Sequence, residues 1–350
     1  MTSTTTGSRR RPPAVRAGAW LASAASAGLV LAGCGSDDGA AAASEGGVTP
    51  VSLSFEWTCE GNWAIAYLGQ EQGLFEEEGV DLSFERGQGG STTTPLVAQG
   101  EYDLAVLSAP PVVLGAGQGL PITVVGVAGS QSPVAILADA AITEPADLEG
   151  ASVAVQTDQF EGAVWEAFLA ETGIDASTIE VIPSDDAAQA QFISGEIDAI
   201  VTFYPTPSTL GLLDGRAGGE SVLLMQDYVP TYGHTVVANN AFLEANGDAV
   251  RGFTTAWAEA TKYAVANPEE ALTALTDNCP ELDADSAQFT LDAYLEAYSS
   301  ELAEEDGYLA FDPAGLDQTQ DVLVGGGLME ETDLSDFSSQ DYLPDPAVTP

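Results

Sequence analysis

Trp57 and Asn62 flank the short loop Thr58-Cys59-Glu60-Gly61, which follows the apolar run Val51 to Trp57, and Trp63 stands one residue further on. An indole stacks and a carboxamide both donates and accepts hydrogen bonds, so the chemistry these types offer is capture of a small molecule. Ser108, Asp158, Phe160 and Tyr204 stand at or just after the ends of other apolar runs. Ser91 and Thr92 follow the glycine-rich stretch Arg86-Gly87-Gln88-Gly89-Gly90, and Tyr232 lies close to His234, the one histidine of the chain. Hydroxyls in such places are ligand donors or helix caps, and aromatics there line a cleft or fill a core. None of these residues pairs a nucleophile with a base, so no catalytic residue is expected. The glycine-rich stretch lacks the lysine and spacing of a nucleotide-phosphate or dinucleotide loop. Cysteine and histidine never cluster at metal-ligand spacing. Neither cofactor nor metal is expected.

The elements that must hold these residues announce themselves by repetition. Gly100-Glu101-Tyr102-Asp103-Leu104-Ala105-Val106-Leu107-Ser108 returns, altered, as Gly195-Glu196-Ile197-Asp198-Ala199-Ile200-Val201-Thr202-Phe203-Tyr204. Each copy reads as a glycine ending a helix, an acidic turn, and an apolar run too short for a helix. A run without polar alternation is buried on both faces, which happens when crossover helices cover a parallel sheet; such sheets bind ligands at the carboxyl ends of their strands. Two such units in one chain predict an α/β protein of two similar lobes, with mixed and mainly parallel sheets facing a cleft. Strands are expected at Val51 to Trp57, Val80 to Glu85, Pro121 to Ala128, Val134 to Ala138, Ala151 to Gln156 and Ile179 to Ile182. Helices are expected from about Asn62 to Glu78, and near the end at Ala249 to Ala266, Pro268 to Thr276, Asp283 to Ser299 and Asp317 to Leu323. Gly129 to Pro133 reads as the crossover out of the first lobe and Tyr228 to Val237 as the return. The first lobe is therefore residues 50–131 with 235–350 and the second is 132–234, joined by a two-strand hinge that suits closure on a ligand.

Residues 1–33 read as a signal peptide: Arg9, Arg10, Arg11 and Arg16 form a basic start, and Ala17 to Gly33 an apolar core of small residues. Leu31-Ala32-Gly33-Cys34 resembles the bacterial lipobox, which implies lipid attachment at Cys34 and anchoring to the outer face of the cytoplasmic membrane. Residues 34–49, mostly Gly, Ala, Ser and Asp, read as a flexible tether. Past the leader only Arg86, Arg216, Arg251 and Lys262 face 54 acidic residues, in a chain whose formal net charge is −46. Nucleic acid is excluded as a partner, because phosphate backbones need clustered lysine and arginine. Such acidity fits solubility in a salty medium, with a cation-binding role as the other reading. An exported, oxidising setting permits Cys59 and Cys279 to pair, although two lone thiols do not make a framework.

Phe55-Glu56-Trp57, Asn62, Gly69-Gln70-Glu71-Gln72-Gly73-Leu74-Phe75, Glu78-Gly79-Val80, Gly100-Glu101-Tyr102-Asp103, Ile142 to Gly150 and Asn267-Pro268-Glu269-Glu270-Ala271 together resemble the SsuA/THI-type solute-binding proteins of ABC importers. The likeness runs from about Val51 to Ala271. It implies the type II periplasmic-binding fold and delivery of a small ligand to permease subunits; the protein is expected to be a monomer. Members bind thiamine pyrimidine precursors, sulfonates, taurine or nitrate. The pyrimidine binders place an aromatic and a polar residue against the ring at the first strand-to-helix junction, which here is Trp57 and Asn62. With Arg86 the sole base near a predicted cleft loop, a neutral heteroaromatic ligand is expected over an anion, with a sulfonate, taurine or nitrate as the alternative. Fungal relatives make the thiamine pyrimidine with a histidine and a cysteine-rich motif; this chain has no cysteine cluster, so enzyme activity is the weaker expectation, and a ligand-sensing lipoprotein without a permease is a further reading that uses the same fold.

Overall fold

The computed structural model describes residues 47–157 and 159–350. The leader, Cys34 and Asp158, each given a role above, lie outside the described residues. Among the described residues ten strands form two five-stranded sheets. β1 (Thr49–Phe55), β2 (Val80–Arg86), β3 (Leu104–Ser108), β4 (Ile122–Val127) and β10 (His234–Asn239) make the first, in the order β2-β1-β3-β10-β4. β5 (Val134–Asp139), β6 (Ser152–Val155), β7 (Glu180–Pro183), β8 (Ala199–Phe203) and β9 (Glu220–Leu224) make the second, in the order β7-β6-β8-β5-β9. The orders match position for position. In each sheet one strand, β10 or β5, runs antiparallel to both neighbours, and the remaining pairings are parallel.

The helices are α1 (Trp63–Glu71), α2 (Leu74–Glu77), α3 (Gly90–Gln99), α4 (Ala109–Gly117), α5 (Phe160–Thr172), α6 (Asp186–Ser194) and α7 (Pro207–Gly215), followed by α8 (Asn240–Ala245), α9 (Gly247–Ala266), α10 (Pro268–Asn278), α11 (Ala284–Tyr298), α12 (Glu301–Asp306) and α13 (Ala314–Gly325). The single helix expected over Asn62 to Glu78 is two, because Gly73 ends the first and begins the second. β9, unexpected from the sequence, is a partly exposed edge strand whose Glu and Ser break the apolar run that marks β3 and β8.

The internal repeat is structural as well as sequential. Gly100 and Gly195 close α3 and α6 at φ 79° and 78°, a left-handed conformation that side chains with a Cβ disfavour. Three residues on, Asp103 accepts hydrogen bonds on Oδ2 from the backbone N and Oγ of Ser52, at 2.8 and 2.7 Å. Asp198 accepts the same pair from Ser152, also at 2.8 and 2.7 Å. The acidic turn of each copy thus clasps a serine of the neighbouring parallel strand, mid-strand in β1 and at the start of β6. β3, β4 and most of β5 are buried along their whole length, as their unbroken apolar runs require. α1, α9, α10 and α11 pack together over one face of the first sheet, and α13 lies against both α4 and α5. Among the described residues no helix is long and apolar enough to cross a membrane.

Candidate functional site

The carboxyl ends of β1, β3 and β8 and the amino end of β10 converge on a cavity of about 290 Å³, which Tyr294 of α11 closes from the side. Trp57, Asn62, Trp63, Ser108 and Tyr204 all line it, together with Glu56, Glu60, Pro133, Phe203 and His234. The strand-end argument thus brings together five of the named candidates. Trp57 is 53% exposed, one of three large apolar residues so placed among the described residues, whose other tryptophans, Trp63, Trp165 and Trp257, are buried. Trp63 is 5% exposed and stacks on Phe55 with ring centres 4.4 Å apart, so it belongs to the core and offers the cavity an edge. Tyr204 meets Phe289 of α11 edge to face at 5.4 Å, and burial raises its hydroxyl above the ordinary tyrosine range.

The other candidates lie elsewhere. Phe160 and Ser91 line an adjoining cavity of about 300 Å³ that shares Glu56, Ser108 and Phe203 with the first. Thr92 is exposed and lines neither cavity, because it falls on the outer side of α3. Tyr232 is buried in the core, where its hydroxyl donates to the Asp312 carbonyl and accepts from the Asp312 N–H, both at 2.8 Å. It holds the segment before α13 in place and does not reach the cavity.

Electrostatics give the site its character. The amino ends of α3 and α4 point toward the cavity, where free backbone N–H groups would suit an anion. Here the protein fills them itself: Glu56 accepts from the N–H of Gly90 (3.1 Å) and from the N–H and Oγ of Ser108 (2.8 and 2.9 Å). A Cβ on Gly90 would come within 2.5 Å of the same carboxylate, so the approach requires glycine. His234 Nε2 lies 3.9 Å from Glu56, and burial pulls this imidazole below its ordinary range against the opposing pull of Glu56. Glu60 accepts from the Tyr294 hydroxyl at 2.9 Å and is otherwise desolvated, which pushes its carboxyl up to about 7. Asn62 is 3% exposed and its Oδ1 has no hydrogen-bond partner. A buried acceptor left unpaired costs on the order of 1–3 kcal/mol, and a bound N–H donor would recover it. No lysine or arginine lines the cavity among the described residues. Arg86, the base expected nearest the cleft, does not line it.

Cys59, in the loop between β1 and α1, is disulfide-bonded to Cys279 at the end of α10, 220 residues away. The pairing left open by the sequence is made in the structure, and it ties the Trp57–Asn62 loop to the C-terminal helices. Sequence reasoning missed Glu56, Glu60, Phe203 and Tyr294 as cavity residues. Glu56 and Glu60 flank the predicted Trp57 and were legible as acids in a strand-end loop. No local signal marks Tyr294, which reaches Glu60 across 234 residues of chain.

Residues 60–271, more than half the chain, match the model of the family described as NMT1/THI5 like. The chain belongs to the NMT1/THI5-like family. It is 26% identical over 254 residues to the formylaminopyrimidine-binding protein of Halalkalibacterium halodurans, covering 71% of this chain and 76% of that protein. It is 25% identical over 241 residues to the 4-amino-5-hydroxymethyl-2-methylpyrimidine phosphate synthase THI5 of Saccharomyces cerevisiae, covering 63% of this chain and 68% of the yeast protein. Its fold is that of the periplasmic aliphatic sulphonate binding protein SsuA of Escherichia coli, with a TM-score of 0.63 at 20% identity over 82% of this chain and 91% of that one. The expected periplasmic-binding architecture of two mixed α/β sheets is therefore what the chain adopts.

Proposed function

We propose that this chain is the extracytoplasmic solute-binding component of an ABC importer, capturing a flat nitrogen heteroaromatic between its two sheets and passing it to a permease. The lipid attachment expected at Cys34 completes that reading. The observation that carries it is Trp57: a large aromatic face held exposed on the wall of a cavity that also contains Tyr204 and the unpaired Oδ1 of Asn62. An exposed indole beside an unpaired acceptor suits a ring that stacks and donates. The formylaminopyrimidine-binding relative supports a pyrimidine as the first ligand to try. The synthase named among the relatives favours the same ring chemistry. A binding role is preferred here because the Ser108 hydroxyl is committed to Glu56 and so is not poised as a nucleophile.

The test is titration with 4-amino-5-hydroxymethyl-2-methylpyrimidine, followed by tryptophan fluorescence and calorimetry. Quenching is expected, and Trp57→Ala is expected to remove most of it and weaken binding about tenfold, the equivalent of about 1.4 kcal/mol of stacking and burial. Tight binding of taurine or nitrate with no response to the pyrimidine would overturn the ligand, and unchanged affinity in Trp57→Ala would remove that residue from the site.

A further inference from the structure

The cavity's charges narrow the ligand beyond its shape. Both helix amino ends at the cavity are already neutralised by Glu56, which the N–H groups of Gly90 and Ser108 hold in place. A ligand anion entering here would find those donors taken and two carboxylates, Glu56 and Glu60, facing it. Glu60 accepts on one oxygen from Tyr294 and lines the cavity together with the 97%-buried Asn62, whose Oδ1 has no partner. Two acceptors lining one cavity suit a ligand with two N–H donors on nitrogens that share one carbon, as an amidinium or a ring-protonated 2- or 4-aminopyrimidine edge presents them.

We infer that the cavity selects an aromatic cation bearing an amidinium-type N–H edge, with Glu60 pairing its charge and Asn62 Oδ1 accepting its second hydrogen. This rests on the aromatic-solute reading above and adds the sign of the charge to it.

The groups facing Glu60 are Glu56 from the end of β1, His234 of β10, and Tyr294 and Tyr298 of α11. Glu56 repels charge on Glu60 and the Tyr294 hydroxyl stabilises it, while burial pulls His234 below its ordinary range against the opposing pull of Glu56. Burial holds the Glu60 proton up to about 7, so near neutrality part of the population is protonated before the ligand arrives. When the cation binds, the O–H bond of Glu60 breaks, its proton passes to solvent, and the carboxylate so formed pairs with the ligand. Binding is therefore linked to release of a proton, and affinity rises with pH until Glu60 is already ionised.

The experiment uses the mature chain with two matched probes: benzamidinium, whose charge is fixed across the range, and benzenesulfonate, its anionic counterpart. Calorimetry from pH 5.5 to 8.5, in buffers of different ionisation heats, reads affinity and protons released. Benzamidinium is expected to bind about tenfold more tightly per pH unit below pH 6.5 and to level off above 7.5. Glu60→Gln keeps the shape, and is expected to flatten that profile and to weaken binding at pH 8 by about tenfold or more. Tyr294→Phe removes the hydrogen bond that favours the ionised carboxyl and is expected to move the midpoint to higher pH, an effect that loss of folding would not produce. Benzenesulfonate binding as tightly as benzamidinium, or a benzamidinium affinity indifferent to pH and to Glu60→Gln, overturns the inference. If both probes quench Trp57 equally, the aromatic reading survives and only the charge selection falls; if neither binds at any pH, both fall.

Discussion

Glu60 also leaves a mark on the stability of the empty protein. Its carboxyl titrates near 7 in the folded chain against 4.5 for an ordinary glutamate, because burial disfavours its charge. The folded state therefore holds a proton that the unfolded chain gives up. The associated stability is fully present below about 4.5 and is lost as pH rises through about 7, an amount on the order of 3 kcal/mol. Glu60→Gln, uncharged at every pH, is expected to match the wild type near pH 5 and to exceed it at pH 8, with the gap opening between those values. Melting curves of the two proteins that stay parallel from pH 5 to 8 would contradict this. The residue scale also shows where sequence reading reaches and where it stops. Trp57, Asn62, Ser108 and Tyr204 could be placed at the cavity because each ends or follows an apolar run, and strand ends are where such sheets bind. Tyr232 stands in an equally suggestive crossover, yet its ring fills core and its hydroxyl is spent on Asp312. The difference between them is set by packing partners far away in sequence, which no local pattern records.

Elements were more legible than side chains. The two copies of the glycine, acidic turn and apolar run predicted β3 and β8, and the structure adds the reason for the acid, a clasp from Asp103 to Ser52 repeated from Asp198 to Ser152. The glycine-rich stretch before α3 is plain in the sequence. What could not be read was that Glu56, just past the end of β1, accepts from its Gly90 N–H. The loop from β1 to α1 depends on a further distant element, since the Cys59–Cys279 bond fastens it to α10. Closing a loop of 220 residues restricts the unfolded chain strongly, and removing such a bond costs about 3 kcal/mol. Cys59→Ala with Cys279→Ala is expected to lower Tm by roughly 5–10 °C, and reduction with dithiothreitol to lower the wild type by as much. A Tm unmoved by both treatments would show that the packing of α10 and α11 alone holds the loop.

For the molecule as a whole, the dominant fact is charge: 54 acidic residues against 8 basic ones. The few bases of the described residues are not spread as counter-charges. Arg216 is buried over the Phe192 ring, bonding the Phe192 and Ile197 carbonyls and Asp139, while Arg251 pairs with Asp248 and the Asp341 carbonyl. The surface must repel itself, and that repulsion reaches about 10 Å at 0.1 M salt but only about 3 Å at 1 M. Tm is therefore expected to rise by several degrees between low and molar sodium chloride, and to rise with potassium chloride too, since the cause is screening rather than a bound ion. A flat Tm across that range would place the acids too far apart to matter. Composition alone licensed this expectation, because net charge does not depend on the fold.

The strand order has a consequence in time. β10 lies between β3 and β4, but the whole of β5 to β9 is encoded before it. A chain made from its amino end reaches Val127 with the two apolar strands that flank this slot complete and nothing to separate or join them. The backbone groups of β3 and β4 that β10 will satisfy stay unpaired while the second sheet, contiguous in sequence, is synthesised and free to form. Only when His234 to Asn239 emerge can the first sheet be zipped shut. That same strand carries His234 into the cavity, so the wall of the binding site and the middle of the first sheet are finished in one late event, and until then the nascent chain exposes the kind of sticky edge that chaperones cover.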